Sequence, residues 1–292
     1  GERLYIARSN RIMVMNAASG ELIGEVPDTE GAHGIALVPK INLGFATAGK
    51  TNSVTVFDIT TLKKTGQISV GEKPDAILYD SFSNNVFAFN GKSKTASVID
   101  PESQKVAATI SLPGKPEFAV SDESGSVFLN LEDTNSLLVI DARKFKVRRT
   151  YSLKPCEEPS GISIDNVSHS LFIGCGNKMA AVVDAHSGKV LKTFPAGEGV
   201  DAAAFDSIHK LAFIPAGEGR LSIIRESKKT FELVQDIPTQ KGARTAAADS
   251  KSGKVFLVTA EYGPPEAPKD GEKKSRPPMI PGSFVVIVIG PK

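Results

Sequence analysis

Short stretches of alternating apolar and polar residues run along almost the whole chain and return at a regular interval. Apolar segments such as VFD, VID, VID and VVD end at Asp58, Asp100, Asp141 and Asp184. Successive copies lie about 42 residues apart, with no helical periodicity between them. Because β-branched residues are frequent in these stretches, the pattern predicts strands. The Asp at the end of each segment is predicted to cap a turn by accepting hydrogen bonds from backbone amides.

Each repeat divides into four short strands, and a four-stranded repeat of about 42 residues has the length of one propeller blade. One strand of each repeat is rich in small residues, as in VDAAAF and ARTAAA. Blades converge on a central axis, where only small side chains fit, so this strand is predicted to be the innermost. The residues that meet this need are Ala36, Ala119, Gly161, Ala202, Ala203, Ala246 and Ala247.

The number of copies of each strand type predicts how many blades there are. The second and third strand types occur seven times, and the innermost and outermost types occur six times. We therefore predict an all-β, seven-bladed β-propeller of four-stranded antiparallel blades. One innermost and one outermost strand are expected upstream of Gly1, closing the ring by strand exchange, which removes free sheet edges. An open or partly formed blade is the alternative.

The chain is predicted to be one domain, 1–292, with an inserted loop at 263–282 in the last blade. This loop is rich in Pro, Lys and Glu and cannot bury enough apolar area to fold alone. The net charge of +2 gives no support for a general nucleic-acid or anionic-membrane partner. No apolar run is long enough for a membrane span. The strand pattern that begins at GERLYIA is expected to follow a processed or trimmed N-terminus.

Several segments of the repeats resemble a known family. KPDAILYD, GKPEFAV, CEEPSG, GARTAAAD and TAEYGPP look like the YVTN β-propeller repeat of the YncE-like group, and the resemblance runs from Arg3 to Ile289. It implies a seven-bladed propeller that is exported to the bacterial periplasm or cell surface. It implies no settled activity, although a DNA-binding role is associated with one branch of the group.

Polar residues that differ between repeats concentrate in the loops that enter the innermost strand and leave the second strand. In a propeller these loops surround one opening of the central channel, and we name this surface the mouth face. Divergence on a rigid scaffold is typical of binding sites. The candidate ligand-binding residues of the mouth face are His33, Asp75, Asn90, Glu117, Glu132, Glu157, Glu158, Asn177, Asp201, Arg244 and Glu261.

Most of these side chains are acidic, and one position per repeat forms a predicted ring. Its members are Gly34, Asp75, Glu117, Ser160, Asp201 and Arg244. Such a ring predicts a pocket for a cationic ligand or for a divalent cation such as calcium, which takes carboxylate and carbonyl oxygens. The alternative is that Arg244 pairs with a neighbouring carboxylate and the channel holds only water.

Histidine placement limits the chemistry. His169, His186 and His209 fall in turns on the opposite face and are interpreted as solvated turn residues. Only His33 lies at the mouth face, as a base, a metal ligand or simply a hydrogen-bonded side chain. The sequence shows no histidine pair for a zinc hydrolase or a haem with two axial histidines, and no catalytic residue is assigned.

The two cysteines, Cys156 and Cys175, are expected at the start of the innermost strand and the end of the second strand of one blade. A hairpin turn at 166–168 would bring these strand ends together, close enough for a disulfide. A disulfide fits an oxidising compartment. Two buried free thiols or a soft-metal pair are the alternatives.

These observations favour an exported, monomeric binding or scaffold protein, periplasmic or extracellular, that uses its acidic mouth face. Its partner is expected to be a small ligand, a metal or another exported protein. The first alternative is a propeller-type lyase or lactonase, with a metal and with His33 beside Glu117 or Glu158. The second is single-stranded DNA binding, which needs basic grooves and stacking aromatics. Only Tyr262 and the basic run Lys269–Arg276 speak for that alternative.

Overall fold

The computed structural model of the protein describes residues 2–264 and 278–291. Its strands form seven antiparallel sheets, numbered here in chain order, and each sheet is one blade of a β-propeller. Sheet 1 contains β1 (Arg3–Arg8), β2 (Arg11–Asn16) and β3 (Leu22–Val26). Sheet 2 contains β4 (Ala32–Val38), β5 (Leu43–Ala48), β6 (Ser53–Asp58) and β7 (Lys64–Ser69). Sheet 3 contains β8 (Pro74–Asp80), β9 (Asn85–Asn90), β10 (Thr95–Asp100) and β11 (Lys105–Ser111).

The remaining sheets repeat this order of strands. Sheet 4 contains β12 (Pro116–Ser121), β13 (Ser126–Leu131), β14 (Ser136–Asp141) and β15 (Lys146–Ser152). Sheet 5 contains β16 (Pro159–Asp165), β17 (Ser170–Cys175), β18 (Met179–Asp184) and β19 (Val190–Pro195). Sheet 6 contains β20 (Ala204–Asp206), β21 (Leu211–Ala216), β22 (Arg220–Ser227) and β23 (Thr230–Pro238). Sheet 7 contains β24 (Ala246–Asp249), β25 (Lys254–Thr259) and β26 (Val285–Ile289). Two short 3₁₀ turns lie at Pro39–Ile41 and Glu132–Thr134.

The prediction of a seven-bladed all-β propeller is confirmed. Five sheets have four strands, and sheets 1 and 7 have three. In the described residues, sheet 1 begins with a strand of the second type and sheet 7 ends with a strand of the third type. Within these residues, six sheets therefore have an innermost strand and six have an outermost strand, as the sequence predicted.

Apolar side chains on both faces of the middle strands bury each sheet against its neighbours. The core between sheets 3 and 4, for example, contains Phe87, Val98, Leu129 and Leu138, all fully buried. Burial on both faces explains why the second strand of each repeat is an almost continuous apolar run. At the ends of the third strands the predicted turn caps are present. Asp58 Oδ1, for example, accepts hydrogen bonds from the amide groups of Thr60 and Thr61, at 2.9 and 2.6 Å.

The predicted disulfide is confirmed. Cys156 and Cys175 are bonded, with their Cα atoms 5.4 Å apart. Both residues are fully buried in the core between sheets 4 and 5. The bond joins the loop that leads into β16 to the end of β17. It rules out both alternatives for these cysteines, the two buried free thiols and the soft-metal pair.

The two ends of the ring meet through side chains. The guanidinium group of Arg8, at the end of β1, lies 3.8 Å from the ring centroid of Phe284, just before β26. Arg8 Nη2 also donates a hydrogen bond to Met279 Sδ at 3.5 Å. Among residues 2–264 and 278–291, no helix is long and apolar enough to cross a membrane.

Candidate ligand-binding site at the mouth face

The positions predicted to form a ring are neighbours from blade to blade in the structure. His33, next to the ring position Gly34, places its Nδ1 atom 2.8 Å from Asp75 Oδ1 of the following sheet. On the other side of the ring, Ser160 Oγ donates to the carbonyl oxygen of Asp201 at 3.0 Å. Arg244 Nε lies 3.1 Å from Asp201 Oδ2. The structure therefore places His33 beside Asp75, and both Ser160 and Arg244 in contact with Asp201.

Polar side chains of the second strands hold this ring in place. Thr47 Oγ1, on β5, donates to the carbonyl oxygen of Asp75 at 2.6 Å. Asn130 Nδ2, at the equivalent position of β13, donates to the carbonyl oxygen of Ser160 at 2.9 Å. Both bonds cross from one sheet to the next, so each fixes the backbone of a ring position. Thr47 was not predicted, although a polar residue in an otherwise apolar strand was a visible signal.

The centre of the candidate site is an ionic cluster in sheet 4. Lys115 Nζ lies 2.8 Å from Glu117 Oε1 and also contacts Glu132 Oε2. The Glu117 side chain is only 14% exposed. Burial raises the pKa of the Glu117 carboxyl above its ordinary value; the Lys115 ammonium opposes this shift, and the charges of Glu132 and Asp75 add to it. Three carboxylates from two blades thus share one corner of the mouth face.

The pKa of Asp75 is shifted in the opposite direction, below its ordinary value. Burial alone would favour its neutral form, but the hydrogen bond and charge of His33 outweigh it and hold the pKa of Asp75 below its ordinary value. Lys73 and Lys115 add to this lowering. Asp75 is therefore the carboxylate that stays charged as the pH falls, whereas Glu117 is the one that takes up a proton first.

We predict that Lys115→Met raises the pKa of Glu117 further, because it removes the nearby positive charge that favours the carboxylate. Carboxyl carbon chemical shifts followed by NMR over a pH titration measure this change. The matched control is Lys94→Met, since Lys94 pairs with Asp133 at 2.7 Å. If the Glu117 pKa were unchanged in Lys115→Met, or changed equally in both variants, the Lys115 charge would not be what holds the pKa of Glu117 down.

Basic side chains that the sequence analysis did not select also lie among these loops. Lys50 pairs with Glu30 at 3.9 Å, Lys92 with Glu72 at 2.6 Å and Lys178 with Glu198 at 3.0 Å. Each lysine follows a second strand, in AGK, NGK and GNK, so the repeat itself carried the signal. The mouth face therefore carries mixed charge, with acidic groups paired to basic ones. The pairing of Arg244 with Asp201 matches the competing interpretation weighed for that residue.

Two other predicted residues, Asn90 and Asn177, form hydrogen bonds within their own blades. Asn90 is fully buried, and its Nδ2 donates to Thr95 Oγ1 and Ser97 Oγ of its own sheet, at 3.0 and 3.1 Å. Asn177 accepts a hydrogen bond from the Glu157 amide at 3.2 Å and donates to the Pro155 carbonyl at 2.9 Å.

Two further acidic residues of the mouth face, Glu158 and Glu261, are held through their backbone amides. The Glu158 amide donates to Asn135 Oδ1 at 2.7 Å, and the Glu261 amide donates to Ser283 Oγ at 3.0 Å. Glu157, Glu158 and Glu261 are all exposed, and no ion pair within the described part of the chain involves their side chains. They remain accessible to a partner of the mouth face.

The site does not resemble a metal centre. Within the two described ranges, no group of three or more His, Cys, Asp or Glu side chains is arranged to hold a metal ion. The expected calcium site and the metal-assisted lyase or lactonase therefore gain no support from these residues. The basic run Lys269–Arg276, considered for DNA binding, lies outside the described residues, as does most of the inserted loop 263–282.

Superposition on solved structures of other proteins supports the propeller fold of this chain. A hydrazine synthase chain of Kuenenia stuttgartiensis superposes with a TM-score of 0.76 at 15% identity, over 88% of this chain and 89% of that one. A chain of a mitotic checkpoint complex superposes with a TM-score of 0.75 at 16% identity, over 87% of this chain and 80% of that one. No protein-family model and no curated protein sequence matches the chain. Since a propeller serves many unrelated functions, these similarities carry no statement about activity.

Proposed function

We propose that this chain is a binding scaffold whose mouth face takes a cationic group, an amine or a guanidinium, of a small ligand or of an exported protein partner. The observation that carries the proposal is the pairing of two carboxylates, Glu117 and Glu132, with the single ammonium group of Lys115. Asp75, which pairs with His33, adds its negative charge close to Glu117. Glu117 and Glu132 together carry more negative charge than the Lys115 ammonium balances, and burial makes the charge of Glu117 costly. A second cation at this corner relieves that cost.

Two further features support a binding role. The ring positions differ in chemistry from blade to blade, while inter-sheet hydrogen bonds from Thr47 and Asn130 fix their backbones. A site on such a rigid frame loses little conformational freedom when a ligand binds. The resemblance of the repeats to the YVTN group and the buried disulfide both support an exported protein in an oxidising compartment.

We expect 1,4-diaminobutane and butylguanidinium to bind at the mouth face and to shift the NMR signals of β8 and β12. Glu117→Gln weakens that binding about ten-fold or more, because it removes a charge-assisted hydrogen bond. Glu102→Gln is the control, since Glu102 is an exposed residue in the turn after β10. Equal binding by both variants, or signal changes away from the mouth face, would exclude the proposal.

A further inference from the structure

Two histidines on the face opposite the mouth form a pair. His169 lies in the turn between β16 and β17, and His186 lies in the turn between β18 and β19. Their ring centroids are 4.4 Å apart, with the ring planes inclined at 51°. Both histidines lie in turns, as interpreted from the sequence, but the structure brings together two imidazoles where the sequence showed no histidine pair. Alternate turns of one antiparallel sheet lie at the same end, and this brings the two imidazoles together.

The backbones of both turns are fixed. The Ala185 amide donates to the carbonyl oxygen of His169 at 2.9 Å, which joins the two turns directly. The Tyr151 hydroxyl donates to the carbonyl oxygen of His186 at 2.8 Å. The Tyr151 ring also covers Gly188, where a Cβ atom would lie only 2.0 Å from Tyr151 Cγ. The two rings therefore project from positions that the sheet has already set.

We propose that His169 and His186 together chelate a divalent transition-metal ion, with Cu²⁺, Ni²⁺ and Zn²⁺ as the fitting ions. Imidazole nitrogens bind these ions at about 2.0–2.1 Å, so two ligating nitrogens of one ion lie ~3 Å apart. Side-chain rotations bring rings at the observed separation into that arrangement. His186 is exposed and His169 half-buried, so an ion reaches the pair from solvent.

The pair supplies two protein ligands, and water completes the coordination. The nearby carboxylate of Asp184 is already engaged: its Oδ1 accepts hydrogen bonds from the amide and hydroxyl groups of Ser187, at 2.9 and 2.8 Å. Its Oδ2 lies 3.7 Å from Lys229 Nζ. In residues 2–264 and 278–291, no third His, Cys, Asp or Glu completes a metal cluster. Open coordination positions leave such an ion able to accept a donor group from another molecule.

The same face contains a matched comparison. His209 lies in the equivalent turn of sheet 6, but its Nδ1 atom is 2.7 Å from Asp206 Oδ2. It has no second imidazole beside it among the described side chains. A single surface histidine binds these ions much more weakly than two that share one ion.

Isothermal titration calorimetry of the chain without a polyhistidine tag tests the proposal, with CuCl₂, NiCl₂ and ZnCl₂ as separate probes. We expect one ion per chain, with Cu²⁺ bound most tightly, as the order of divalent-metal affinities requires. His169→Asn and His186→Asn each weaken binding about ten-fold or more, whereas His209→Asn leaves it unchanged. Asparagine suits position 169, where φ is 58°, because it tolerates the left-handed region.

Unchanged circular dichroism and melting temperature without metal establish that each variant is folded. Electron paramagnetic resonance of the Cu²⁺ complex then reports two nitrogen ligands in the wild type and fewer in each variant. The proposal is overturned if the wild type shows no saturable binding. It is equally overturned if the double variant His169→Asn/His186→Asn keeps the affinity, or if His209→Asn loses as much.

Discussion

Gly161→Ala is expected to reduce the free energy of unfolding by about 3 kcal/mol or more, the upper range for overpacking a tightly packed interior. A Cβ atom at position 161 would lie 2.1 Å from the carbonyl carbon of Ala202 and 2.4 Å from its Cα atom. Both are backbone atoms of the next blade, so no side chain can rotate out of the way. Equilibrium unfolding in urea, followed by far-UV circular dichroism, measures the loss.

The control for this substitution is Gly91→Ala. The nearest atom to a Cβ at that position is the carbonyl oxygen of Lys73, at 3.6 Å, which is ordinary contact. We expect no loss of stability there, since alanine also restricts the unfolded chain. If both variants lost the same free energy, the close approach of sheets 5 and 6 would not be the cause.

The second large effect is expected from removal of the disulfide. The double variant Cys156→Ala/Cys175→Ala should lose about 3 kcal/mol of unfolding free energy, because the unfolded chain gains the freedom that a closed loop denies it. The bonded residues are 19 positions apart. Their burial between sheets 4 and 5 adds a packing loss when both sulfur atoms are removed. Urea unfolding of the wild type and of the variant measures the difference.

Reductant provides the internal control. Dithiothreitol should shift the urea midpoint of the wild type towards that of the double variant and leave the variant itself unchanged. A wild type whose midpoint is insensitive to complete reduction, verified by thiol titration in denaturant, would contradict a stabilising role for the bond.

The blades were predictable because their strands obey a simple periodicity. Alternating apolar positions, a terminal Asp such as Asp58, and small residues such as Ala36 recur once per repeat. The disulfide was predictable for a related reason, since a hairpin necessarily brings the start of β16 near the end of β17. The local sequence pattern was enough to predict the blades, and the antiparallel topology of a hairpin was enough to predict the disulfide.

The details of the mouth face were less predictable. Asn90 is the last residue of its second strand, whereas Asn130 is the last but one of its own. Because successive side chains point to opposite faces, one bonds the next sheet and the other its own sheet. Ion pairs such as Lys92 with Glu72 depend on side-chain length and loop shape, which the repeat alignment does not describe.

The contact of Arg8 with Phe284 and Met279 has a consequence for how the molecule opens. In the described part of the chain, sheets 1 and 7 each have three strands and meet through these side chains. Each interior blade packs against a neighbouring blade on both sides, whereas sheets 1 and 7 are joined to each other through these side-chain contacts. Transient local unfolding is expected to start where the two ends adjoin and to reach sheets 3 to 5 last.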